Sequence, residues 1–109
     1  FDEAWFSEGE RVLRQGFSGS GLYVVLDGAA AIRIDGVDRA TLQAGDYFGE
    51  ISVLLGESPT ADIVAVRRLR CLVLAGTQVE PFLKAYPQVM YRLLQGEARK
   101  VRNTTTWLS

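Results

Sequence analysis

The sequence predicts a mainly antiparallel β fold, a sandwich or barrel, followed by two helices. Three observations predict it. Short apolar runs recur through roughly the first three-quarters of the chain, and glycine-containing turns separate them. After Ala75 the apolar spacing lengthens to three or four residues, the period of a helix face.

Residues 11–15, 21–26, 30–34 and 39–42 each have strand length and strand composition. Between them stand Gly16-Phe17-Ser18-Gly19-Ser20, Asp27-Gly28 and Asp35-Gly36. An Asp-Gly pair between apolar runs supplies the positive φ angles of a tight hairpin turn, and Asp35-Gly36 is the clearest example. Two further strands are expected at 61–67 and 69–75. Closely spaced strands with turns between them point to a sandwich or barrel rather than a parallel sheet with crossover helices.

Beyond Ala75, Thr77-x-x-Glu80 has the form of a capping box, although Pro81 lacks a backbone donor. A short helix over 79–86 is expected to end at Tyr86-Pro87, because proline disfavours helical geometry in the residue before it. A longer helix follows from Gln88. Met90, Leu94, Ala98, Val101, Thr105 and Leu108 form one stripe along it, first a core face and second a dimer seam.

At 109 residues the chain has room for one core, burying roughly 65% of its unfolded surface. Twelve basic against thirteen acidic side chains give a net charge of −1, so no global field favours nucleic acid or anionic lipid. No apolar run is long enough to cross a bilayer, and no signal-peptide pattern is present. Histidine is absent, which removes Ser-His-Asp and Cys-His catalysis and imidazole-ligated metal sites. The single cysteine, Cys71, cannot form an internal disulfide and reads as a small buried strand residue. A cytoplasmic, non-enzymatic protein without metal is expected.

The chemistry concentrates in residues 45–61, GDYFGEISVLLGESPTA. A tight glycine turn leads into about one and a half helical turns, closed by a second glycine. Backbone N–H groups at the start of such a helix are unpaired and suited to an anion. A carboxylate at Glu50 beside them can accept hydrogen bonds from a sugar hydroxyl. The bland alternative is a first-turn carboxylate favoured by the helix dipole.

This stretch resembles the phosphate-binding cassette of the cyclic-nucleotide-binding domain, shared by bacterial catabolite-type regulators, cyclic-nucleotide-dependent kinases and gated channels. The strand and turn Gly21-Leu22-Tyr23-Val24-Val25-Leu26-Asp27-Gly28 resembles the family's approach to the cassette. Leu42-x-x-Gly45-Asp46-x-Phe48-Gly49-Glu50 matches its beginning, and the likeness runs through the C-terminal helices. The fold it implies is an antiparallel β-roll, jelly-roll-like, with a short cassette helix and C-terminal helices. One domain over 1–109 is expected, with the roll at 1–75, the cassette at 45–61 and the helices at 76–109.

The resemblance assigns Glu50 to the ribose 2′-hydroxyl, and Gly49 with the amides of Glu50 and Ile51 to the ribose-phosphate. Thr60 and Ala61 fall on the family's small-residue pair at the cyclic phosphate, and Thr104 and Thr105 on base-contacting hydroxyls of the long helix. Pro59 occupies the position of the family's phosphate-pairing arginine, offering neither charge nor donor. Arg67, Arg68, Arg99 and Arg102 are the candidate cations to compensate, a solvated strand end or helix face being the alternative reading for all four.

The resemblance therefore implies a regulatory module for cyclic AMP or cyclic GMP, with no other cofactor and no catalysis of its own. A degenerate roll kept for protein–protein contact or dimerisation is the alternative. A fused or partner output domain is expected, as is a homodimer through the C-terminal helix. The bacterial regulators carry a DNA-binding domain after the long helix. This chain stops at Ser109 and begins without the family's leading helix. It is thus expected to be a piece of something longer, with no direct nucleic-acid contact and no membrane span of its own.

Overall fold

The computed structural model describes residues 2–17 and 21–108, with side chains through Asn103. In chain order the strands are β1 (Asp2–Phe6), β2 (Arg11–Leu13), β3 (Gly21–Asp27), β4 (Ala29–Ile34), β5 (Val37–Gln43) and β6 (Tyr47–Phe48). There follow α1 (Glu50–Leu55), β7 (Asp62–Ala65), β8 (Leu69–Ala75), α2 (Gly76–Ala85) and α3 (Pro87–Leu108). The fold is antiparallel β with C-terminal helices, the β-roll that the sequence implies. The chain divides into two compact units within α2, after Val79.

The first unit contains two four-stranded sheets, ordered β1-β8-β3-β6 and β2-β7-β4-β5. Every strand pairing is antiparallel. Their inner faces form one core. Val25, Phe48, Leu69 and Cys71 come from the first sheet; Leu13, Ala30, Leu42, Ile63 and Ala65 come from the second. Alternation along each strand accounts for this, since successive side chains point to opposite faces. Cys71 is fully buried in β8, as its apolar neighbours in sequence predict.

Asp35 and Gly36 have φ of 52° and 79°, the two left-handed positions of a two-residue hairpin turn, and β4 and β5 pair across them from Ile34↔Val37. Gln15 clasps the same turn: its Nε2 donates to Asp35 Oδ1 and its Oε1 accepts from the Asp35 amide. Asp27-Gly28 does something else. β3 and β4 lie in different sheets, so this pair is a corner between sheets rather than a hairpin.

Two strands escape the apolar pattern. β1 carries Asp2 and Glu3 and is held by its pairing with β8, from Asp2↔Val73 to Phe6↔Leu69. β6 is only two residues long, too short to show a period. α2 begins at Gly76, so Thr77 lies inside the helix and the expected capping box does not form. Pro81 also lies inside α2, at the cost of one backbone bond. α3 starts with Pro87, whose missing donor costs nothing in the first turn. Within α3, Met90, Leu94 and Val101 are exposed, so the described part of the stripe is not the core face that its spacing suggests. No helix among the described residues is long and apolar enough to cross a membrane.

Candidate functional site

β3 and β6 deliver the chain to α1 through Gly49. This glycine has φ 91° and ψ −1° and occupies the N-cap without any side-chain cap. A side chain is excluded there on two counts. The left-handed region disfavours L-residues, and a Cβ would lie 2.1 Å from the Gly21 carbonyl oxygen on β3. At the other end Gly56, with φ 70°, donates its N–H to Ser52 O at 3.0 Å and closes the helix after six residues.

In the first turn of α1, Val53 N donates to Gly49 O at 3.3 Å. The amides of Ile51 and Ser52 precede that bond and, by helical geometry, have no acceptor within the helix. Glu50 and Ser52 are each only 7% exposed, a placement uncommon for polar side chains. The Ser52 hydroxyl is buried without a hydrogen-bond partner among the described residues.

Tyr23 backs this turn. Its ring stacks parallel to that of Phe48, with centroids 4.8 Å apart and planes 3° from parallel. Burial pushes its phenol above the usual pKa, with Cys71 adding to the effect. Sequence reasoning treats Tyr23 as an apolar strand residue and does not single out Ser52. The signal for Tyr23 is its place two residues after Gly21, on the same face of β3.

The remaining predicted residues are distributed as follows. Gly49, Glu50 and Ile51 are contiguous where β6 passes into α1. Thr60, exposed, and Ala61, half-buried, lie beyond Gly56 and lead into β7 of the opposite sheet. Directly before Thr60, Pro59 is buried, and its carbonyl accepts the Gly16 N–H at 2.9 Å. Arg67 and Arg68 stand in the turn between β7 and β8. Arg67 Nη2 reaches Gly28 O at 3.4 Å, and Arg68 lies over the Trp5 ring at 4.6 Å. Thr104 and Thr105 belong to the backbone of α3 in the second unit, and their side chains fall outside the described residues. No group of three or more His, Cys, Asp or Glu side chains suited to a metal occurs among the described residues.

Comparison with known proteins adds the following. The family model for the cyclic nucleotide-binding domain matches residues 3–86. The cGMP-dependent protein kinase of Plasmodium berghei (strain Anka) is 31% identical over 93 residues, 85% of this chain and 11% of the kinase. That of Toxoplasma gondii is 30% identical over 93 residues, again 85% of this chain and 9% of the kinase. Among solved structures, the catabolite activator protein of Thermus thermophilus aligns with a TM-score of 0.89 at 29% identity, over 99% of this chain and 53% of that one. The regulatory domain of Toxoplasma gondii PKA, crystallised with cAMP, aligns with a TM-score of 0.72 at 27% identity, over 90% of this chain and 38% of that one. The chain thus spans about a tenth of the curated kinases and about half of the bacterial regulator.

Proposed function

The chain belongs to the cyclic nucleotide-binding domain family, and we propose that it is a regulatory module that takes up cyclic AMP or cyclic GMP and has no catalytic activity of its own. The observation that carries this reading is the Gly49 turn. There a left-handed glycine, packed on the Gly21 carbonyl, opens α1 with Glu50 buried at its first position.

In this reading Glu50 accepts from the ribose 2′-hydroxyl. The amides of Glu50 and Ile51, with Gly49, meet the ribose-phosphate. Thr60 and Ala61 supply a hydroxyl and an amide to the cyclic phosphate, and Thr104 and Thr105 supply hydroxyls to the base. The whole of 1–109 acts as one binding domain, with the roll at 1–75, the cassette at 45–61 and the helices at 76–109. A fused or partner output domain reads the bound state. The exposed Met90, Leu94 and Val101 on α3 suit a second copy of the chain, giving a homodimer. The one free, buried cysteine suits a cytoplasmic setting.

Pro59 sets the strength of binding. Hydrogen bonds to a charged group are each worth about 1.5–3 kcal/mol, so a cassette without its guanidinium binds about one to two powers of ten more weakly. A second reading rests on the same residue. The Pro59 ring is buried, so it serves the packing of the fold, and the roll then persists for protein contact without nucleotide.

Calorimetric titration of the chain with cyclic AMP and with cyclic GMP separates the two. Saturable heat below millimolar ligand supports the sensing module, and Glu50→Gln then lowers affinity about tenfold to a hundredfold. Absence of heat at millimolar concentrations of both nucleotides rejects it in favour of the contact module.

A further inference from the structure

The cassette begins on a short strand. β6 has two residues, paired with β3 as Tyr23↔Phe48 and Val24↔Tyr47, and just before it Val25 N donates to Asp46 O at 2.8 Å and Gly45 N to Val25 O at 2.9 Å. The residue after β6, Gly49, has no side chain, and nothing caps the helix that follows through a side-chain hydrogen bond. This backbone pairing ends at Phe48, so beyond it the direction of the first α1 amides turns on a glycine, the residue with the least restricted backbone.

One side chain lies against Phe48 and beside both Gly49 and Gly21. The Tyr23 ring lies parallel to Phe48 at 4.8 Å, and the ring of Phe6 on β1 lies 6.5 Å from it, tilted by 57°. Its Cδ1 is 3.4 Å from the place a Gly49 Cβ would occupy, and its Cε1 is 3.2 Å from the corresponding place at Gly21. The two glycines meet there, the Gly49 Cα facing the Gly21 carbonyl, and the phenol ring covers both. A rigid aromatic surface at this spot limits how far the β6–α1 junction can rotate about Gly49, a residue with unusual backbone freedom.

We infer that Tyr23 is a positioning residue: through Phe48 and Gly49 it holds the first amides of α1 in the direction that ligand binding uses. The inference rests on the nucleotide-binding reading for its consequence, and on the ring contacts alone for its structural part. Tyr23 itself touches no ligand in this account.

The test uses the full chain, with Tyr23→Val to remove the ring and Tyr23→Phe to keep it. Without nucleotide, Tyr23→Val speeds amide hydrogen exchange at Val53, whose N–H bonds Gly49 O, more than at Ile63 and Ala65 of the opposite sheet. Affinity for cyclic AMP and cyclic GMP falls about two- to tenfold, the range that one aromatic contact spans. Tyr23→Phe restores both. In the native spectrum the Gly49 and Gly21 α-protons are displaced from ordinary glycine values by the ring, a readout that survives even if Tyr23→Val does not fold. Exchange that rises equally in both sheets, failure of Tyr23→Phe to rescue, or undisplaced glycine protons each overturns the inference. A native chain that takes up no nucleotide overturns the binding reading instead, and the exchange pattern still decides the positioning role.

Discussion

Gly49 presses its Cα against the carbonyl of Gly21, so closely that a methyl group on it would stand 2.1 Å from that oxygen. Gly56, at the other end of the same helix, also has a positive φ but has nothing within 4 Å of its missing Cβ. The two glycines therefore separate backbone conformation from space. Gly56→Ala meets only the left-handed penalty and costs about 1–2 kcal/mol. Gly49→Ala meets that penalty and a backbone clash, and costs more than about 2 kcal/mol. Urea unfolding of the two variants measures the difference. Equal losses would show that the approach to Gly21 relaxes freely.

Ser52 gives a prediction of opposite sign. Its hydroxyl is buried with no partner among the described residues, and such a group carries a desolvation cost that nothing repays. Ser52→Ala removes the hydroxyl and fills nearly the same volume, so stability stays level or rises by up to about 1 kcal/mol. Thermal or urea unfolding checks it; a clear loss of stability would mean that the hydroxyl is satisfied in solution.

The thiol of Cys71 is a pH probe of the core. Burial pushes it from 9.0 up to about 11. Below pH 9 the group is protonated in the folded and unfolded chain alike, and burial costs nothing. As pH rises from 9 through 11 the unfolded chain ionises first, so the folded state loses stability over that window. In Cys71→Ala the part of the alkaline decline due to the thiol disappears. At pH 8 iodoacetamide should modify Cys71 in urea and spare it in the native chain.

How far the sequence could be read follows from which forces act locally. Asp35-Gly36 was legible because the turn's own residues demand its geometry. The Glu50–Leu55 helix between Gly49 and Gly56 was legible for the same reason. β1 was not, because Asp2 and Glu3 take strand geometry from β8, a partner about seventy residues away in sequence. The capping box at Thr77 failed because α2 starts directly after β8, one residue earlier than the side-chain signal. At the site, Gly49, Glu50 and Ile51 were visible as a local pattern. Tyr23 gains its place only when β3 and β6 pair, and the burial of Pro59 only when Gly16 bonds its carbonyl.

Pro59 offers a gain-of-function experiment. Pro59→Arg introduces a guanidinium where the proposed function seats the cyclic phosphate, and on that reading affinity rises about one to two powers of ten. The Gly16 N–H bond is to the backbone carbonyl and is retained by any residue there. Titration of variant and native chain with the same nucleotide reads the change. No gain would mean that the phosphate, if bound, lies elsewhere.

An amide NMR titration of the native chain with cyclic AMP and cyclic GMP shows residue by residue whether a cyclic nucleotide seats on the first turn of α1. Seating there gives saturable shifts at Gly49, Glu50, Ile51 and Thr60 that exceed those of the core amides at Ile63 and Leu69. Nucleotide-dependent shifts that leave Gly49–Ile51 unmoved, or a spectrum that does not respond to either nucleotide, would contradict it.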